Sequence, residues 1–242
     1  MIDTNRDSIR ARLLETFTYS GQPMATIYLP PDSAVADAAH PHDVGVGRVL
    51  KELAEMGVSD EFESVVGDAL ADLDHGDGAG LALGAGFALV ATPSQVLLAQ
   101  ETHGSSTKPL CSVGRTPELL PLLLEAQSDI EYLAAPELRD AIATGRGVQG
   151  NEVLDLLNQG RIERLYAAND TFDTHRPIAG FGFSPPSAAP RATAGPIQTT
   201  APVTEGAVAL AVVAGADVVV VPGTGTAGFN APIAGILRGE RP

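Results

Sequence analysis

Apolar positions change their period several times along the chain, and each change marks an element. Ile9, Leu13, Leu14 and Phe17 recur at helical spacing and predict an amphipathic helix; Ala25-Thr26-Ile27-Tyr28-Leu29 then reads as a strand stopped by Pro30-Pro31. Val49, Leu50 and Leu53 predict one helix, and Phe62, Val65, Val66, Ala69, Leu70 and Leu73 a second, antiparallel to it across a break at Gly57. Gly80 to Leu83, Phe87 to Ala91 and Val96 to Ala99 follow as a β-meander with corners at Gly84-Ala85-Gly86 and Pro93-Ser94-Gln95. The segment Pro117 to Leu124 starts a helix with proline near its first turn.

The second half alternates helices with continuous apolar strands. Gly150 supplies a flexible start, Asn151 is a good N-cap, and Glu152 places negative charge in a first helical turn, where the helix dipole favours it. Val153, Leu154, Leu156 and Leu157 give that helix an apolar face, and Gly160 stands where a left-handed cap is wanted. Ile162, Leu165 and Tyr166 lead into a strand through Ala167-Ala168 that ends at the turn formers Asn169-Asp170. The run Gly206 to Ala214 is a helix stopped by Gly215. Val218 to Val221 is too β-branched to be anything but a buried strand, closed by Pro222-Gly223, and Ile233 to Arg238 is a final strand. Such alternation predicts a sheet covered on both faces. The fold class expected is α/β in two domains. Residues 1–135 form an α+β domain with the meander, and residues 136–242 an α/β/α sandwich, interrupted at about 176–202 by a Pro-, Ala-, Gly- and Ser-rich insertion read as a mobile loop.

Composition changes this picture in two ways. With 242 residues and a single cysteine, Cys111, each domain must stand on its own core, and a reducing cytoplasm is the default compartment. No positively charged, apolar leader opens the chain, and the uncharged stretch Gly78 to Gln100 is broken by glycines and a proline, so a hairpin is expected there and no membrane span. A formal net charge of −15 then argues against general affinity for DNA or RNA, because such a field repels phosphates. Arg139, Arg146, Arg161 and Arg164 nevertheless gather at the start of the second domain and are the candidates for local RNA contact or for an acidic partner; the plainer reading makes them solvated helix and turn residues.

The segment Gly150-Asn151-Glu152 with the following helix, Gly160 turn and strand resembles the Gly-x-Asn-Glu helix start of the small α/β fold shared by kink-turn RNA-binding ribosomal proteins and the third domain of archaeal and eukaryotic peptide release factors. The ending Ile233-Ala234-Gly235-Ile236-Leu237-Arg238 is similar to the last strand of bacterial release-factor-like proteins. The turn Asp74-His75-Gly76-Asp77-Gly78, followed by an apolar hairpin and by Val113-Gly114-Arg115 ahead of the leucine-rich helix, resembles their N-terminal domain. That family includes a ribosome hibernation factor. The resemblance implies a translation role, with the ribosome or a translation GTPase as partner, in stress or hibernation, and with Asn151 and Glu152 at the contact. Two of the family's motifs are missing: the stop-codon-reading Asn-Ile-Lys-Ser and the Gly-Gly-Gln tip. The near match Ser20-Gly21-Gln22 lies beside a strand, and two adjoining domains leave no room for a middle one. Peptidyl-tRNA hydrolysis is therefore not expected, and no enzymatic activity is. Asp155 also stands where kink-turn binders usually carry lysine, and its carboxylate would repel phosphate.

Other chemistry fares worse. Gly223-Thr224-Gly225-Thr226-Ala227-Gly228 lacks the Gly-Lys-Ser/Thr ending of a phosphate loop, and Leu83 stands where a calcium loop beginning near Asp72 needs glutamate. His40-Pro41-His42-Asp43 lacks a third nearby ligand, so no metal and no cofactor is expected. Two alternatives stay open: a small-molecule enzyme using Asp170, Asp173 and His175 at a strand end, and an adaptor dimer using the edge of the meander.

Overall fold

A computed structural model describes residues 22–30, 41–75, 85–102, 110–125, 135–169, 178–183, 197–221 and 231–239. The expected helix at Ile9 to Phe17, the strand at Gly80 to Leu83 and the loop Thr224 to Asn230 lie outside them. Two units divide the chain between Glu118 and Leu119.

The first unit contains β1 (Met24–Leu29), α1 (Pro41–Glu55), α2 (Asp60–His75), β2 (Gly86–Thr92), β3 (Gln95–Thr102) and β4 (Leu110–Gly114). Its sheet has the order β3-β2-β1-β4 and is antiparallel throughout. Alternation explains the packing: Ala25, Ile27 and Leu29 of β1 and Phe87, Leu89 and Ala91 of β2 meet Val49 and Leu53 of α1 and Phe62, Val66 and Leu70 of α2. The helix pair breaks at Gly57, whose φ of 70° is a backbone that glycine adopts without strain. On the back of β1 the Tyr28 hydroxyl donates to the Glu118 carbonyl at 2.8 Å, and the Glu118 N–H donates to Thr26 Oγ1 at 3.1 Å. Those two bonds satisfy polar side chains that are otherwise buried.

Of the expected meander, the strand Gly80 to Leu83 lies outside the described residues. β2 and β3 do form a hairpin across Pro93-Ser94, but β1 separates β2 from β4, a strand that the sequence did not advertise because Leu110-Cys111-Ser112-Val113-Gly114 is half-buried on both faces.

The second unit contains α3 (Leu120–Glu125), α4 (Ala135–Ala143), β5 (Gly147–Gln149), α5 (Glu152–Asn158), β6 (Ile162–Ala168), β7 (Ile178–Phe183), β8 (Ile197–Pro202), α6 (Val203–Ala214), β9 (Asp217–Val221) and β10 (Ile233–Leu237). The main sheet runs β5-β10-β6-β9; β6 and β9 are parallel, and β10 is antiparallel to both β5 and β6. On one face Leu138 and Ala141 of α4 pack on Tyr166, Ala168, Val219, Val221, Ala234 and Ile236. Leu165 and Ala167 have the opposite parity, and α5 and α6 pack on β6 there, giving three layers. α6 is buried along Val203 to Val212, which is why its sequence lacks a polar face.

Two features depart from expectation. The ends of the segment read as a mobile insertion, Ile178–Phe183 and Ile197–Pro202, pair as an antiparallel hairpin, so a composition poor in core residues still holds two strands. α4 has no counterpart among the expected elements; Leu138, Ala141 and Ile142 supply its apolar stripe, too short to stand out by period. It presses hard on β5. A Cβ added at Gly147 would lie 2.5 to 2.8 Å from Ile142 atoms, backbone among them, so only glycine fits that crossing.

Candidate functional site

Strand directions sort the candidate residues onto two opposite edges of the second sheet. β5, β6 and β9 end at one edge, where β10 begins; they start at the other, where β10 ends. Gly150, Asn151 and Glu152 leave β5 at the first edge. The Gly150 N–H donates to Ile233 O at 3.0 Å, tying this turn to the start of the last strand.

Asn151 does not act as the expected side-chain cap. Its φ of −62° and ψ of −27° are already helical and its side chain makes no capping bond, because Gly150 at φ 68° performs the reversal itself. The Val153 N–H reaches Gly150 O and the Leu154 N–H reaches Asn151 O, so backbone takes the role assigned to the side chain. Asn151 and Glu152 remain exposed.

Arg146, Arg161 and Arg164 lie at the opposite edge, about 20 Å away at the rise of a seven-residue strand, while Arg139 is carried on α4. Three helices finish there in the same left-handed glycine motif. The Arg146 N–H donates to Ala141 O at 2.8 Å beyond Gly145, the Arg161 N–H to Leu156 O at 2.9 Å beyond Gly160, and the Ala216 N–H to Ala211 O at 2.9 Å beyond Gly215. Three negative dipole ends thus gather at one edge, and cations belong beside them. Arg238 answers directly: Nη2 donates to Ala214 O at 3.0 Å and Gly215 O at 2.9 Å, and Nε to Ile162 O at 2.9 Å.

The remaining arginines are mostly committed. Arg146 Nη2 donates to Leu237 O at 3.2 Å and stands 3.5 Å from Glu163 Oε2. Arg164, half-buried, hydrogen-bonds Glu137 Oε2 and lies 3.6 Å from Asp217 Oδ2, while the Tyr166 hydroxyl donates to Glu137 at 3.4 Å. Burial alone would lower the Arg164 pKa; the Tyr166 hydroxyl and the Glu137 and Asp217 carboxylates outweigh it and raise it. Burial likewise pushes the Tyr166 hydroxyl up, against the pull of the Arg164 guanidinium. Arg139 and Arg161 are exposed. The edge is therefore a mixed-charge network, with far less free positive charge than the sequence implied. A cleft of about 460 Å³ beside it is lined by Glu163, Gly215, Asp217, Arg238 and Gly239. Its charged walls are already engaged, Arg238 by carbonyls, Glu163 by Arg146 and Asp217 by Arg164, so the cleft offers little to a phosphate.

Glu205 is the residue that sequence reading missed. Lying in the first turn of α6 and 1% exposed, its carboxylate accepts from the Leu119 N–H at 2.7 Å and the Leu120 N–H at 3.4 Å, capping α3. Only an acid at the head of an apolar run could have signalled it. In the first unit Cys111 is a packing residue: burial, then the nearby Glu52 charge, push its thiol pKa from 9.0 up to about 12. Asp170, Asp173 and His175 lie outside the described residues. The Asn169 N–H donates to Val221 O at 2.7 Å. Among the described residues no group of three His, Cys, Asp or Glu side chains is placed to hold a metal, and no helix is long and apolar enough to cross a membrane.

No protein-family model matches the chain, and no curated protein matches it. Among solved structures, the crystal structure of the archaeal translation termination factor aRF1 is similar over 96% of this chain and 98% of its own, at 13% identity and a TM-score of 0.30.

Proposed function

We propose that this chain is a non-catalytic binding protein of the translation apparatus, docking on the ribosome or on a translation GTPase, in the manner of the release-factor-like family that its sequence resembles. The observation supporting this reading is that two of the segments carrying the resemblance are structural neighbours. The Gly150-Asn151-Glu152 turn is hydrogen-bonded to the head of the terminal strand, and that strand lies between β5 and β6. Asn151 and Glu152 stand exposed at the edge so formed and are the proposed contact. Direct RNA recognition is the weaker half of the proposal, since Arg146 and Arg164 are engaged by carboxylates and the net charge is −15. Docking through protein surfaces, with occupancy as its mechanism, is favoured. Affinity capture from growing and starved cells tests it: enrichment of ribosomal proteins or a translation GTPase is expected, and capture of neither would reject the role.

A further inference from the structure

β3 is the outermost strand of the first sheet among the described residues, and it carries few of the features that protect an edge. It runs for eight residues, is uncharged from Gln95 to Gln100 and contains no proline. A bulge disturbs it near Leu97, but from Leu98 to Thr102 the pairing with β2 is regular. Val96, Ala99 and Glu101 stand opposite Ala91, Leu89 and Phe87, so they share the face on which the helices pack. The helices leave two of them open: Val96 is 39% exposed and Ala99 is exposed, while Glu101 is half-buried.

The neighbour on that side is α2, which packs on β2 and β3 while α1 packs on β1 and β4. α2 carries Asp60, Glu61, Glu63, Asp68, Asp72 and Asp74 and neither lysine nor arginine. Phe62, Val66 and Leu70 face the sheet, and Gly67 faces α1, its Cβ position being 3.8 Å from Leu50. At about 100° per residue, Glu61, Asp68 and Asp72 then fall together on the other flank, the one beside β3, and all three are exposed.

We infer that the outer edge of β3 takes an extended, lysine- or arginine-rich segment of a partner protein as a fifth strand. Main-chain bonds to β3 supply affinity, and alternate basic side chains meet Glu61, Asp68 and Asp72. Charge complementarity selects this occupant over a second copy of the chain, because a β3-to-β3 pairing would bring two such acidic flanks together. The inference stands on the first unit alone and holds whether or not the partner is ribosomal.

The test uses the full chain and a peptide of about eight residues alternating lysine with valine, with a glutamate-for-lysine peptide as control. Saturable binding of the lysine peptide is expected, with hydrogen exchange slowed at alternate amides of Leu98 to Thr102. The surface variant E61K/D68K/D72K should weaken it about tenfold and gain affinity for the glutamate peptide, as three exposed ion pairs warrant. Absence of saturable binding, or binding without slowed exchange in β3, overturns the inference. So does a dimer by light scattering with those amides already protected, since the edge would then belong to a second copy.

Discussion

Replacing Glu205 should unfold the second unit more readily than any exposed acid could. The carboxylate is 1% exposed and accepts from two N–H groups, on Leu119 and Leu120, that are themselves 0% exposed. A hydrogen bond to a charged group is worth about 1.5–3 kcal/mol, and stranding a buried donor costs about 1–3 kcal/mol. The longer bond, at 3.4 Å, counts for less. Glu205→Ala should therefore lower the unfolding free energy by about 3–4 kcal/mol, whereas Glu205→Gln, which keeps an acceptor of the same shape, should cost about 1–2 kcal/mol. Urea denaturation followed by circular dichroism at neutral pH reads both, with the slope showing whether the transition stays cooperative. An alanine variant within about 0.5 kcal/mol of the parent, the range of ordinary surface changes, would refute the capping role. Equal losses for alanine and glutamine would show that charge, and not the acceptor, matters.

At the β5 turn, Gly150→Ala should cost about 1 kcal/mol because of its φ of 68°, and Asn151→Ala should stay within about 0.5 kcal/mol because its side chain caps nothing; the reverse order in urea melts would restore the side-chain cap. Gly147→Ala should cost about 1–3 kcal/mol by forcing α4 off β5, and a neutral thermal melt would contradict that close approach. The Cys111 thiol, with its pKa raised by folding, contributes stability that is complete below its ordinary 9.0 and lost as pH climbs through about 12, and the raised Tyr166 hydroxyl acts in the same direction. Urea midpoints should fall across that alkaline window, and a thiol reagent at pH 8 should label the folded protein much more slowly than the unfolded chain.

The fold was legible wherever one residue pattern dominated. Phe62, Val66 and Leu70 announced α2, Gly160 announced a left-handed cap, Gly215 announced a helix end, and Val218 to Val221 announced a buried strand. Short elements escaped. β4 mixes Cys111 and Ser112 with apolar neighbours, β5 has only three residues, and α4 shows its stripe in just nine. Strand order was invisible because β1 joins β2 and β4 through contacts distant in sequence. The candidate site was legible in its members and not in its arrangement. Asn151 and Arg161 are ten positions apart in sequence, yet α5 carries the chain across the sheet between them, so the two sit on opposite edges. Nor could spacing reveal that Glu137, Glu163 and Asp217 would come to the arginines.

The most direct measurement is co-sedimentation of the purified full chain with purified ribosomes through a sucrose cushion, repeated from about 50 to 200 mM salt. Docking through protein surfaces predicts near-stoichiometric recovery in the pellet with a shallow salt dependence, unlike the roughly thousandfold loss that many phosphate contacts impose over that range. Protein left wholly in the supernatant, both alone and with a translation GTPase added, would contradict the translation role. Recovery that collapses steeply with salt would contradict the protein-surface mode of docking.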